Sequence, residues 1–368
     1  MSDITRFVGL DVHKATIAVA MAEPDGSVSE YGTVPNDTSS VRKLVKALAM
    51  PGVTLKVAYE AGPTGYALHR QLTSLGVDCV VVAPSLIPRM PGDRVKTDSR
   101  DAVKLARLLR SGDLTSVWVP DEAHEALRNL VRSRGDAKAD ALRAKHRLSK
   151  FLLRQGVHQP AGVKAWSQKY QTWLNQLTFA HPADQVVFDD YLAVYRAADE
   201  RVRRLEAALM QCAETSSRIR TIAALQAFRG IGFLTAVTIV AEVGDLRRFA
   251  NARQFMAYVG VVPSEYSSGT SQHRGRITKT GNAHLRHVLG EAAHHARYVP
   301  AVQGSVKQRQ AGVPKEIVDL AWKAQQRLHL RYRHLSARLG RPKALTAVAR
   351  ELAGFVWALG QLVEVPAA

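Results

Sequence analysis

The chain has 368 residues, of which 46% are hydrophobic, and 51 Lys plus Arg against 32 Asp plus Glu give a net charge of +19. That is enough apolar content for at least two cores, and no apolar run approaches the roughly 18 residues of a membrane span; even Thr235 to Ala241 runs into Glu242. Two isolated cysteines, Cys79 and Cys212, exclude a cysteine-rich zinc module and fit a reducing, cytoplasmic compartment.

Residues 1–118 read as a mixed α/β domain. Asp11 ends the apolar run Phe7 to Leu10, and Glu60 ends a second strand-like run, Leu55 to Tyr59. Further strands are expected at 16–21, 30–34 and 77–82, with a helix over 65–75. From Asp98 onward, Ala102, Leu105, Ala106 and Leu109 follow the helical period, so Asp98 and Asp101 share their side while Arg100, Lys104 and Arg107 face away. Taken alone, Asp98 reads as an N-cap and Asp101 as a first-turn acid. Two more acids at strand ends change the balance, because four gathered carboxylates repel one another unless cations neutralise them. An all-oxygen set suits Mg²⁺ or Mn²⁺, and two such ions about 4 Å apart serve phosphoryl transfer. The strand–helix alternation points to the ribonuclease H type of fold. An actin-like ATPase or sugar kinase opens similarly, but no glycine-rich phosphate loop follows Asp11.

Residues 119–217 form a helical, coiled-coil-like middle. Long helices are expected over 122–154 and 184–212, separated by a break at Pro160 to Gly162 and an aromatic segment with Trp166, Tyr170 and Trp173. Leu142, Leu148 and Leu152 on one, and Leu192, Tyr195, Val202, Leu205 and Leu209 on the other, offer apolar positions for an antiparallel pair or a subunit contact.

Residues 218–368 read as mainly α. The segment Leu225 to Ala236 predicts helix, glycine turn, helix, in which Arg229, Gly230 and Gly232 would meet a phosphate at a helix start; a plain interhelical turn explains it equally. A polar loop over 263–281 follows, basic through Arg274, Arg276 and Lys279. His284, His287, Glu291 and His294 then share a face that looks superficially ligand-like, but a polar face near phosphate is the better reading, beside a packed stripe of Leu285, Val288, Leu289, Ala292 and Ala296. A last stripe, Arg327, Arg331, His334 and Arg338, either tracks nucleic-acid backbone or is a solvated face. The charge excess favours counterion release from phosphates and hence a nucleic-acid partner.

Six stretches in order carry a resemblance: Gly9 to Asp11, Tyr59 to Gly65, Lys96 to Ala102, Gly230 to Gly232, Gly260 to Gly269 and Arg274 to Gly281. The chain resembles the DEDD transposases of bacterial insertion sequences, the insertion-sequence-110 type, which include pilin-gene DNA invertases. The resemblance implies a RuvC-like amino-terminal domain in which Asp11, Glu60, Asp98 and Asp101 bind Mg²⁺, and a carboxy-terminal transposase domain with a serine nucleophile at Ser268. Ser267 and Ser264 stand close by as alternatives. It also implies double-stranded DNA as substrate, a non-coding guide RNA, a homo-oligomer (dimer or tetramer), and a bacterial, nucleoid-associated location. The expected function is therefore a transposase or recombinase that cuts and rejoins DNA through a serine phosphodiester. A RuvC-type nuclease using water, and a non-enzymatic DNA-binding protein, are the competing readings.

Overall fold

The computed structural model describes residues 4–88 and 97–363. Lys96, the first residue of one motif above, lies outside the described residues. The chain divides into two units, Met1–Pro120 and Asp121–Ala368.

The first unit is a mixed sheet with helices on both faces. Its elements are β1 (Ile4–Val12), β2 (Thr16–Ala22), β3 (Val28–Pro35), α1 (Thr38–Leu48), β4 (Val53–Glu60), α2 (Ala67–Ser74), β5 (Asp78–Val82) and α3 (Asp98–Ser111). The strand order is β3-β2-β1-β4-β5. β1, β2 and β3 pair antiparallel, while β4 and β5 run parallel to β1. Alternation sorts the two faces. Val8, Leu10, Ile17, Val19, Val57, Tyr59 and Val81 enter one core with Val41, Leu44 and Leu48 of α1 and Leu68 and Leu72 of α2. Each such buried aliphatic side chain contributes roughly 1.5–3 kcal/mol. The other face is lined by small residues, where Ala18 and Ala20 meet Ala102 of α3. β3 is longer than expected, and it is an exposed edge strand whose polar sequence shows no alternation to mark its ends.

The second unit is mostly helical: α4 (Glu122–Arg154), α5 (Gln168–Leu174), α6 (Pro182–Glu214), α7 (Ile219–Leu225), α8 (Phe233–Val243) and α9 (Ala252–Val259), then a hairpin of β6 (Pro263–Ser268) and β7 (Ser271–Ile277), then α10 (Ala283–Ala293), α11 (Ser305–Gln310), α12 (Lys315–Leu339) and α13 (Arg341–Leu362). The hairpin corrects the expected loop over 263–281. Its polar residues conceal two strands, because a two-stranded ribbon with both faces wet carries no apolar alternation.

α4 and α6 form an antiparallel pair with two apolar ends and a charged waist. At the distal end Leu148, Phe151 and Leu152 pack with Tyr170, Leu174, Phe188, Leu192 and Tyr195. At the proximal end Leu127, Val131, Leu209 and Ala213 join the main core of α7, α8, α9, α10, α12 and α13. Between them run the ion pairs Arg134–Glu206, Arg201–Asp140 and Lys145–Asp199. Leu142, expected at a pair or subunit contact, is 53% exposed and lies outside the pair, while Ala141 and Ala144 are buried. No described helix is long and apolar enough to cross a membrane.

Candidate functional site

Alternation along β1 puts Gly9 and Asp11 on the face opposite Val8 and Leu10, and along β4 it puts Ala58 and Glu60 on that same face. Leu10 pairs with Tyr59, so Asp11 and Glu60 end adjacent parallel strands side by side. α3 covers this face because Gly9 has no side chain. A Cβ there would lie 2.1 Å from the carbonyl oxygen of Ala102 and 2.5 Å from the amide nitrogen of Ala106. This close approach delivers the first turn of α3 to the strand ends.

Asp98 is not the N-cap. Thr97 caps α3, accepting from the Arg100 amide at 3.3 Å, which leaves the Asp98 carboxylate to turn toward Asp11. Between them stands His13, whose Nε2 is 3.3 Å from Oδ2 of Asp11 and 3.4 Å from Oδ1 of Asp98. Burial raises the Asp11 carboxyl above its ordinary value; His13 pulls it down, and the Asp101 and Asp98 carboxylates add to the rise. Like charges gathered at a half-buried acid are the condition that a cation relieves. The three donors of Asp11, His13 and Asp98 lie within 4.8 Å of one another, which is compact enough for one ion. Asp11, His13 and Asp98 therefore fit a divalent cation, while Glu60 and Asp101 are not part of this compact group among the described residues.

A cleft of about 1130 Å³ opens over these groups, lined by Asp11, Glu60 and Asp101 and rimmed by Lys14, Arg42 and Arg70. Three of the four expected acids thus share one cleft, and the fourth, Asp98, reaches Asp11 through His13. Sequence reading missed His13 and the basic rim. The signal was available for His13, which has the same strand parity as Asp11.

In the second unit the three serines are sorted by their surroundings. Ser264 sits at the irregularity of the β6–β7 register with its hydroxyl turned to Gly275, where a Cβ would meet it at 2.4 Å. Ser267 donates to Oε1 of Glu265 at 2.8 Å, and Glu265 also faces Arg274 at 3.5 Å. Ser268 is the last residue of β6, exposed at the hairpin tip beside Gly269. Arg276 and Lys279 are exposed as well.

Other expected phosphate contacts have intramolecular work. A Cβ on Gly230 would meet the Ala292 carbonyl oxygen at 2.6 Å, so this glycine, at φ +90°, serves close packing against α10. Gly232 begins α8 with open space around it, and Arg229 donates to the Val299 carbonyl at 2.6 Å. Arg327 and Arg331 share the carboxylate of Glu351 on α13, at 3.2 and 3.0 Å, while both side chains stay exposed. Arg338 is exposed. His284, His287, Glu291 and His294 do not gather into a ligand set among the described residues; the last three line a separate cleft of about 990 Å³ with Arg286, Arg297 and Arg341.

One acid went unread. Glu242 interrupts the apolar helix α8 and is fully buried. Arg132 grips it with two bonds of 2.8 and 2.9 Å, and Asn282 donates to it at 2.6 Å while capping α10. Burial pushes the Glu242 carboxyl up, but these bonds outweigh it and hold the group below its ordinary value.

Two family profiles match the chain. One, described as a transposase of the DEDD, IS110 type, covers residues 8–156, and the other, the transposase IS116/IS110/IS902 family, covers residues 222–304. A transposase-named protein of Sinorhizobium fredii, y4qE, is 43% identical over 96% of this chain and 88% of its own length. The transposase for insertion sequence element IS1533 of Leptospira borgpetersenii is 34% identical over 89% of this chain and 96% of its own length. The transposase for insertion sequence element IS1111A of Coxiella burnetii is 24% identical over 98% and 90% respectively.

Proposed function

The chain belongs to the IS110 family of insertion-sequence transposases, enzymes that cut and rejoin DNA, and from that premise we propose that it is a recombinase with a RuvC-like amino-terminal domain that cuts through Ser268. The observation that carries this reading is one cleft at the ends of β1 and β4 lined by Asp11, Glu60 and Asp101 together with Lys14, Arg42 and Arg70, with Asp98 joined to Asp11 through His13. In functional terms the chain has three parts, the acid domain 1–118, the helical region 119–217 and the transposase domain 218–368.

The acids hold a divalent cation, Mg²⁺ or Mn²⁺, as an oxygen-rich set. Such an ion, when bound, supplies Lewis-acid polarisation of a phosphoryl oxygen. Lys14, Arg42 and Arg70 hold flanking phosphates of double-stranded DNA by charge. Ser268 Oγ forms a bond to phosphorus while the ester bond to one sugar oxygen breaks, and the serine proton passes, net, to that departing oxygen. One phosphodiester replaces another, so rejoining needs no ATP. Reversal by a different strand's hydroxyl completes the exchange. Ser264 is partly buried with its hydroxyl on Gly275, whereas Ser267, bonded to Glu265, and Ser268 at the hairpin tip are both exposed; between these two, the resemblance's placement of the nucleophile supports Ser268.

The net charge of +19 supports a nucleic-acid partner, and the family resemblance adds a non-coding guide RNA that chooses donor and target by pairing. Gly232, Arg276, Lys279 and Arg338 supply backbone contacts, with lesser parts for Arg229, Gly230, Arg274, Arg327 and Arg331, which are engaged within the chain. The protein acts as a homo-oligomer in the cytoplasm, on nucleoid DNA.

The test copurifies the protein with its nucleic acid, adds Mg²⁺ and a DNA bearing the element's junction, and looks for a protein–DNA adduct. Wild type forms the adduct, and Ser268→Ala and Asp11→Ala do not. Metal-dependent cleavage that persists in Ser268→Ala with no adduct overturns the serine mechanism and leaves hydrolysis by a RuvC-type nuclease.

A further inference from the structure

His13 is no part of the four-carboxylate set, yet it is the group that joins Asp11 to Asp98. Its Nε2 stands 3.3 and 3.4 Å from one oxygen of each. Bonds of about 2.1 Å to a six-coordinate ion place neighbouring donors roughly 3 Å apart, so these separations are close to the edges of one coordination shell. The backbone at His13 is fixed from two sides. Its amide donates to the Thr16 carbonyl at 2.8 Å, and its own carbonyl accepts from Nδ2 of Asn36 at 2.7 Å. The turn between β1 and β2 is thereby held where the imidazole overhangs the acids. Half of the His13 side chain and most of Asp98 remain open to solvent, so the place is accessible to an ion.

We propose that His13 is an inner-sphere nitrogen ligand of the divalent cation held by Asp11 and Asp98, making a mixed oxygen and nitrogen site that favours first-row divalent ions over Mg²⁺. This rests on the reading that the acid cleft binds a cation. Mg²⁺ is a hard ion that keeps oxygen ligands and its own waters, whereas an imidazole nitrogen suits later first-row ions such as Ni²⁺ and Zn²⁺ far better than Mg²⁺, with Mn²⁺ gaining least of that series. Binding displaces the imidazole's contacts with the two carboxylates by putting one positive ion where Nε2 now faces both. His13→Asp keeps a donor at this place but restores an all-oxygen set.

The experiment uses full-length protein loaded with Mn²⁺ alone and needs no DNA. Electron spin-echo envelope modulation of the bound Mn²⁺ is expected to show ¹⁴N coupling in wild type. The coupling is replaced by the ¹⁵N pattern when the protein carries ¹⁵N-histidine, and it is absent in His13→Ala and His13→Asp. Titration of Zn²⁺ against Mg²⁺ should show that His13→Asp loses about tenfold or more in its affinity for Zn²⁺, the scale on which even an outer-shell partner changes metal affinity, with a smaller change for Mg²⁺. His13 is exposed and on a turn, and the isotope substitution needs no mutation, so failure to fold cannot mimic the result. Bound Mn²⁺ without histidine coupling in wild type, or coupling retained in His13→Ala, overturns the proposal and leaves the acid-cleft reading standing. Absence of Mn²⁺ binding in wild type overturns both.

Discussion

Two carboxylates, one in each unit, have been treated by the fold in opposite ways. Glu242 is completely buried, yet Arg132 and Asn282 satisfy it and hold its carboxyl below the ordinary value. Asp11 is less buried, yet its environment raises it, through burial first and then through Asp101 and Asp98 against the pull of His13. The fold satisfies the first charge with bonded partners and leaves the second beside two like charges and one histidine. The difference teaches that what a buried acid experiences is set by whether bonded partners offset the burial, as at Glu242, or do not, as at Asp11.

The largest effect should come from breaking the satisfied pair. Arg132→Met leaves a buried carboxylate with Asn282 as its remaining side-chain donor, and should cost about 3–5 kcal/mol in the second unit, read as a lowered denaturant midpoint by urea unfolding. Glu242→Gln, which keeps shape and removes charge, should cost less. Next comes Gly9→Ala, whose new methyl would stand 2.1 Å from the backbone of α3. Overpacking of this kind costs about 1–3 kcal/mol. Calorimetry should show a lowered Tm for the first unit, and Mn²⁺ titration should show weakened binding, because the displaced helix carries Asp98 and Asp101.

Asp11→Asn should do the reverse of Glu242→Gln. Removing a crowded charge is expected to leave the metal-free protein as stable as wild type or more so, by up to roughly 1 kcal/mol, while abolishing DNA cleavage; a clear loss of metal-free stability would contradict the crowding argument. The smallest effect is in pH dependence. A depressed carboxyl such as Glu242 contributes stability above its unfolded value that is lost as pH falls through the lower folded one. A raised carboxyl such as Asp11 contributes below its unfolded value, and that contribution is lost as pH rises through the higher folded one. Thermal melts across the acid range should therefore show the strongly acidic loss flattened in Glu242→Gln, and the loss just above the ordinary aspartate value flattened in Asp11→Asn.

Much of the site was legible because short-range periodicity is written in the residues themselves. Acids at the ends of two apolar runs, and a helix beginning at Asp98, needed only the strand and helix periods. The bounds of α4 were likewise readable, since charged and apolar positions alternate at helical spacing over its whole length. The β6–β7 hairpin was not, because both its faces are wet and polar. Thr97 rather than Asp98 caps α3, a choice between adjacent residues of similar capping power that sequence leaves open. The arginine stripe of α12 looked available for nucleic acid, and its pairing with Glu351 depended on a residue twenty-odd positions away on another helix.

By itself the sequence determined which residues share a face of a strand or helix, the family to which the ordered motifs belong, and the excess of positive charge. Tertiary structure alone decided which face each element covers. It brought α3 down on Gly9 and so carried Asp98 to Asp11, placed His13 between them, and buried Glu242 against Arg132. The reason is physical: periodicity is a property of one segment, whereas an electrostatic environment is the sum over segments that chain folding brings together, and no local pattern contains that sum.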